Sequence, residues 1–260
     1  MKTKSIEESI IVAMETDDTG IVKYLPYILQ DFWEIGTSPE LIIEIVKKHK
    51  HDYSNLSVLD LGSGKGAVSI KLAAELKCKC HGIDAIEDFI VFSNNKSKEY
   101  SVSNICSFER NDIRTRIKTL GKYDIIILGA IGPILGDYYD TLSQLASHIN
   151  NNGIIIINDA YVEDGYNTDY PNIFQKSNLI KQIKKTGMEI IDSITDEKIP
   201  NQKDEHDKEF ENLEKRCLEL VEKYPKEKNI FLKFAETQKK LYEKLDNEIT
   251  SVVFVVKNLK

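Results

Sequence analysis

Two spacings of apolar residues run through the chain. Short apolar or alternating runs predict strands at "SVLDLG" (57–62), "KCHGID" (79–84), "CSFERND" (106–112), "YDIIILGA" (123–130), "GIIIINDAYV" (153–162), "MEIIDSI" (188–194) and "TSVVFVVKN" (250–258). Helical spacing fills the gaps and predicts helices over 67–76, 86–99, 137–149 and 172–185. The unbroken apolar run within 123–130, from Ile125 to Leu128, fits a strand buried on both faces. Upstream, "TSPELIIEIVKKHK" predicts a helix capped by Ser38, with Pro39 in its first position and Leu41, Ile42, Ile45 and Val46 as its apolar stripe. Strands alternating with helices predict a doubly wound, mostly parallel α/β sheet.

Two segments fall outside this alternation. Residues 1–37 predict two short helices, punctuated by Gly20 and Pro26. Residues 195–249 are rich in Lys and Glu, and Pro225 divides them into two helices. Phe210, Leu213, Cys217, Leu220 and Val221 share one face of the first helix. Ile230, Phe231, Phe234, Leu241 and Leu245 lie mostly on one face of the second. The pair is either a solvated hairpin on the domain edge or a lid. The expected organisation is an N-terminal helical cover, 1–37, and a main domain, 38–260, carrying the insertion 195–249.

Composition narrows the function. The chain has 260 residues, of which 41% are hydrophobic and 30% charged, ordinary for a globular protein. Its net charge of −7 repels phosphate backbones, so nucleic acid is a poor partner. No apolar run reaches the roughly 18–20 residues of a membrane helix. "MKTKSIEESIIVAMETDD" lacks the order of a signal peptide, so a cytoplasmic location is expected. Cys78, Cys80, Cys106 and Cys217 form no C-x-x-C, and the five histidines are scattered, so neither a disulfide framework nor a metal site is expected.

The chemistry concentrates after the first strand. Asp60, Gly62, Gly64 and Gly66 form D-x-G-x-G-x-G between a strand and a helix. Glycines there allow positive φ and close approach of a ligand. The dinucleotide fingerprint places its third glycine one residue later, and an acid before the first glycine would repel a pyrophosphate. A carboxylate there suits a cationic amino group. Asp84 ends the second strand, where an acid accepts hydrogen bonds from ribose hydroxyls. Asp112 ends the third, where it can bond an adenine amino group while Ile113 packs on the ring. Asp60 as a turn cap and Asp84 as a helix N-cap are the structural alternatives.

These parts describe a nucleoside with an ammonium group and no phosphate. "LDLGSGKG", "GIDAIEDFI" and "NDI" resemble the motifs of class I S-adenosylmethionine-dependent methyltransferases, the resemblance covering residues 55–160. It implies a Rossmann-like seven-stranded sheet with an antiparallel last strand, and S-adenosylmethionine as cofactor. The implied cofactor positions are Asp60, Gly62, Ser63, Gly64, Gly66, Asp84, Ala85, Asp112, Ile113 and Gly129.

Methyl transfer from an activated cofactor needs positioning and exclusion of water more than a protein nucleophile. Tyr24, Tyr27, Phe32 and Trp33 are either docking aromatics or part of a cage for a sulfonium. "LGAIGPILGDYYD" lacks the Asp/Asn-Pro-Pro-aromatic sequence usual in amino-group nucleic acid methyltransferases, which argues against DNA. Asp159 is the candidate group for orienting an acceptor or taking its proton, and Tyr161 a candidate pocket wall; capping and core packing are the alternatives. The expected acceptor is a small molecule. A protein or RNA acceptor, or a non-catalytic cofactor- or nicotinamide-binding module, are the other readings. The N-terminal helices and the insertion are expected to cover the acceptor.

Overall fold

All seven expected strands form, and an eighth joins them. In the computed structural model, which describes residues 5–166, 168, 173–195 and 202–258, the strands are β1 (Ser57–Leu61), β2 (Lys79–Asp84), β3 (Cys106–Arg110), β4 (Tyr123–Gly129), β5 (Ile149–Val162), β6 (Phe174–Gln175), β7 (Met188–Thr195) and β8 (Thr250–Asn258). Their order is β3-β2-β1-β4-β5-β8-β7, with β6 on β5, and the last strands are antiparallel. The helices are α1 (Ile6–Ala13), α2 (Leu25–Ile28), α3 (Pro39–His49), α4 (Ala67–Leu76), α5 (Glu87–Glu99), α6 (Ile113–Arg116), α7 (Tyr138–Leu145), α8 (Lys176–Lys185), α9 (Gln202–Lys223) and α10 (Lys228–Asn247).

The parallel register carries the ends of the strands to one edge. Asp60 pairs with Gly82, Leu61 with Leu128, Asp84 with Arg110 and Gly129 with Asn158. Strand order reverses between β1 and β4, and in open α/β sheets ligands bind beyond the carboxyl ends of the strands at such a point.

Three of the boundaries that differ from the pattern do so for a local reason. β3 stops at Arg110, and Asp112 caps the short helix α6 by accepting a hydrogen bond from the Arg114 amide. β5 begins at Ile149, and its register against β4 shifts between Tyr123 and Ile125. The polar run Asn150–Asn152 at that irregularity hides the strand from an apolar pattern. The helix expected from 172 starts at Lys176, after the two-residue strand β6, which is too short to show a period. Asn172 and residues 196–201 lie outside the described residues.

The chain divides into two units. The first comprises Met1–Phe32, Ala160–Lys176 and Thr195–Val252. Within it, α9 and α10 pair about Leu213, Cys217, Leu220, Phe231 and Phe234, all buried. Tyr24 joins them, its ring 4.7 Å from Phe231 and 5.3 Å from Tyr224. The N-terminal helices and the inserted hairpin therefore share one core.

The second unit comprises Trp33–Asp159, Ser177–Ile194 and Val253–Lys260. Its core alternates along the strands, with Val58, Cys80, Cys106, Ile125, Ile127, Ile154, Ile156, Val253 and Val255 facing Ile42, Ile45 and Val46 of α3 and Leu72, Ala73 and Leu76 of α4. Each large apolar side chain so buried contributes about 1.5–3 kcal/mol. The four cysteines are free and buried.

Candidate active site

The glycine turn is built from backbone. The amides of Gly62 and Ser63 both donate to the Ile83 carbonyl of the neighbouring strand, at 2.8 and 3.0 Å. Gly62, Gly64 and Gly66 all take positive φ, at 73°, 52° and 73°. Their surroundings differ. A Cβ on Gly62 would lie 2.3 Å from Ile131 Cγ2, and one on Gly66 would lie 2.8 Å from the Phe108 ring. A Cβ on Gly64 would meet only Ile35, at 3.9 Å. Two glycines are thus closed in by protein, and the middle one faces room.

The two acids of this edge are held differently. Asp84 is half-buried and pinned by backbone: Gly64 N donates to its Oδ2 at 2.8 Å and Ile86 N to its Oδ1 at 2.9 Å. A carboxylate has about four lone-pair sites, so the group keeps acceptor capacity beyond its backbone bonds. Burial raises the Asp84 carboxyl above its ordinary range, against the lowering effect of these backbone bonds. Asp60 is 3% exposed and accepts a hydrogen bond from Ser69 Oγ at 2.7 Å. Burial raises it to about 6, with a further push from the charge of Asp84. Two carboxylates short of water and of positive partners favour a cation nearby.

A pH dependence follows from Asp60. Its folded value of about 6 lies above the ordinary carboxylate value of roughly 3.9. The native state therefore holds an extra proton between these values. The stability this contributes, about 3 kcal/mol, is present below pH ~4 and lost as pH rises through ~6. Asp60→Asn should be more stable than the parent at neutral pH and should flatten stability across that window. Denaturant midpoints measured from pH 4 to 8 check this, and parallel curves for the two proteins would contradict it.

Asp112 lies two residues beyond β3 and is engaged by its own neighbour. Arg114 Nε lies 3.0 Å from both carboxylate oxygens, and its Nη2 lies 2.6 Å from Oδ2. Burial would raise Asp112, but the Arg114 bonds outweigh it and hold the carboxyl low. Ile113 beside it is buried. Ala85 follows Asp84 on the same edge, half-buried. Ser63 Oγ is buried and without a hydrogen-bond partner among the described residues.

Across the edge, Gly129 ends β4 beneath Thr37, whose Oγ1 would lie 2.8 Å from a Cβ there. Asn158 Nδ2 donates to Thr37 Oγ1 and to the Gly36 carbonyl, each at 2.8 Å. Asp159, next along the strand, accepts from the Tyr138 hydroxyl at 2.5 Å.

The expected aromatic group is divided. Trp33 belongs to the second unit; its Nε1 donates to the Lys65 carbonyl in the glycine turn at 3.2 Å. The Lys71 and Lys96 ammonium groups stand 5.4 and 5.1 Å from its ring. Tyr27 belongs to the first unit, where its hydroxyl donates to Glu219 at 2.7 Å. Tyr161 is in the same unit, buried, with Lys176 Nζ 5.0 Å from its ring. Sequence reading did not select Ile35, Ile131, Phe108 or Tyr138. The glycine spacing of "GAIGPILG" was the available signal for a turn near Ile131, but nothing in it names the turn's neighbour.

No group of three or more metal-ligating side chains that could hold an ion is present among the described residues, and none of the helices described there is long and apolar enough to cross a membrane. The parts of the edge fit S-adenosylmethionine: an open glycine, a buried hydroxyl without a partner among the described residues, and two acids raised by burial.

Comparison with known proteins agrees. Residues 52–248 match the model of a methyltransferase domain family. A ubiquinone biosynthesis O-methyltransferase from Rickettsia canadensis is 30% identical over 118 residues, 45% of this chain and 48% of that protein. The chain spans about half the length of the curated relatives it matches. Two solved structures share the fold. One is an S-adenosylmethionine-dependent methyltransferase from Geobacter sulfurreducens bound to S-adenosyl-L-homocysteine (TM-score 0.75, 17% identity, 91% of this chain and 98% of that one). The other is its counterpart from Thiobacillus denitrificans (TM-score 0.74, 16% identity, 91% and 98%). With the family model covering most of its length, the chain belongs to the methyltransferase domain family.

Proposed function

We propose that this chain is an S-adenosylmethionine-dependent methyltransferase that acts on a small molecule by in-line transfer, with Asp159 receiving the acceptor's proton. The observation that carries the cofactor half is the pair Asp60 and Asp84, both raised by burial at the edge of a turn with an open glycine. In this reading Asp84 accepts from the ribose hydroxyls with the lone pairs its backbone partners leave. Asp60 lends negative charge beneath a cationic ligand. Gly62, Gly64 and Gly66 give the close approach, and Ser63 Oγ gains a partner. Ala85 and Gly129 line the edge, and Asp112 and Ile113 serve the adenine. Carrying Arg114 on its carboxylate, Asp112 has less to offer a neutral amino group, and Ile113 is the larger contributor of the two.

The cofactor, when bound, supplies a methyl group already activated on a sulfonium. The residues have to orient the acceptor, exclude water and take a proton where one must leave. Support for a small acceptor comes from the acidic surface and from relatives named for ubiquinone biosynthesis.

Labelled methyl transfer tests this against small phenols, amines and carboxylic acids, with bulk protein and RNA as competing acceptors. Label in a small molecule is expected. Label only in protein or RNA would replace the reading with a macromolecular one. Asp159→Asn is expected to lower turnover by at least about tenfold, the low side of acid–base contributions, with affinity for S-adenosylhomocysteine retained. Normal turnover would return Asp159 to a structural role.

A further inference from the structure

The hydroxyl of Tyr138 donates to Asp159 Oδ2 at 2.5 Å. The two lie 21 residues apart, on different elements, and both belong to the second unit. Strand alternation explains the meeting. Asn158 turns its side chain toward Gly36 and Thr37, so Asp159 turns the other way.

Tyr138 is the first residue of α7 and is 6% exposed. Its place is fixed twice over. Its backbone N–H donates to Gln182 Oε1 on α8 at 3.0 Å, and Asp137 caps the helix start by accepting from the Asp140 amide at 2.9 Å. A phenol held this rigidly constrains the carboxylate oxygen it bonds.

We infer that Tyr138 is a positioning residue for Asp159, holding the carboxylate in place for the methyl acceptor, a role that rests on reading Asp159 as the base. The acceptor class is then one with a proton to lose, a hydroxyl or an ammonium. Its proton passes to the Asp159 carboxylate, and its freed lone pair forms the bond to the methyl carbon. The electron pair of the carbon–sulfur bond leaves with sulfur, which ends neutral. The proton then passes to solvent.

Burial, then the charge and hydrogen bond of Asp159, push the Tyr138 phenol well above its ordinary value. It stays protonated and remains the donor. The other charged groups of the two helices that meet here are Asp137, the N-cap of α7, Asp140 in its first turn, and Lys176, Lys181, Lys184 and Lys185 on α8, the last 4.5 Å from the Tyr139 ring.

Tyr138→Phe keeps the ring and its packing and removes the hydroxyl alone. Two readouts separate the possibilities. In carbon-detected titration of the aspartate carboxyls, with Asp159→Asn to assign the signal, the variant should raise the Asp159 midpoint by about one pH unit, because a hydrogen bond to the charged form is lost. In kcat/KM against pH, using the acceptor found by the labelled transfer, the acidic limb should move up by the same interval. The affinity for S-adenosylhomocysteine should not change. An unmoved carboxyl titration with an unmoved acidic limb overturns the role of Tyr138 and leaves the base reading standing. Full turnover in Asp159→Asn overturns the base reading itself, and the positioning role with it.

Discussion

Asp84→Ala should lose at least a hundredfold in affinity for S-adenosylhomocysteine. Hydrogen bonds to a charged group contribute about 1.5–3 kcal/mol each. Two ribose hydroxyls on one carboxylate therefore account for about 3 kcal/mol at the low end, which is roughly 150-fold in Kd. The substitution also frees the Gly64 and Ile86 amides, which now donate to the carboxylate at 2.8 and 2.9 Å. Loosening the turn adds to the loss. Asp84→Asn keeps one oxygen acceptor and should retain part of the affinity. Calorimetry with folded proteins measures both, and unchanged binding in Asp84→Ala would remove the ribose assignment.

Gly66→Ala should cost stability, and Gly64→Ala should cost binding. At Gly66, φ is 73° and an added Cβ would lie 2.8 Å from the Phe108 ring and 2.9 Å from Ser93 Oγ. A left-handed residue costs about 1–2 kcal/mol and overpacking another 1–3. The sum, roughly 2–5 kcal/mol, lowers Tm by about 4–20 °C for a chain of this size. At Gly64 the φ of 52° carries the backbone cost, but the only near atom is Ile35 Cδ1 at 3.9 Å. Gly64→Ala should therefore lose only about 1–2 kcal/mol of stability. The new methyl group stands in the room left over the turn, so cofactor affinity falls. Thermal melts with and without S-adenosylhomocysteine separate the two effects. Equal melting losses in both variants would show that packing does not distinguish these glycines.

The same separation explains which parts of the site could be read in advance. The places of D-x-G-x-G-x-G and Asp84 were legible because they are set locally. Each sits at a strand end whose place follows from apolar spacing, and the turn needs residues that accept positive φ. The end of β3 was misplaced by two residues because Asp112 chooses a cap over a continued strand, and its competing partner, Arg114, is itself polar and carries no period. β6 escaped because two residues cannot show alternation, and the start of β5 because asparagines occupy its irregular turn.

The sequence by itself determined the strand–helix alternation, the glycine turn and the two acids at the ends of β1 and β2. Periodicity and residue type suffice there, because each depends on neighbours within about one element. Tertiary structure alone decided what Phe108 and Ile131 close off, that Trp33 reaches the Lys65 carbonyl, that Asn158 ties down Thr37 from 121 residues away, and that Tyr138 bonds Asp159. Those contacts depend on strand order, on register and on which face each side chain takes after a crossover. A one-residue change of register would reverse every such face, and no local pattern records which residue then lies opposite.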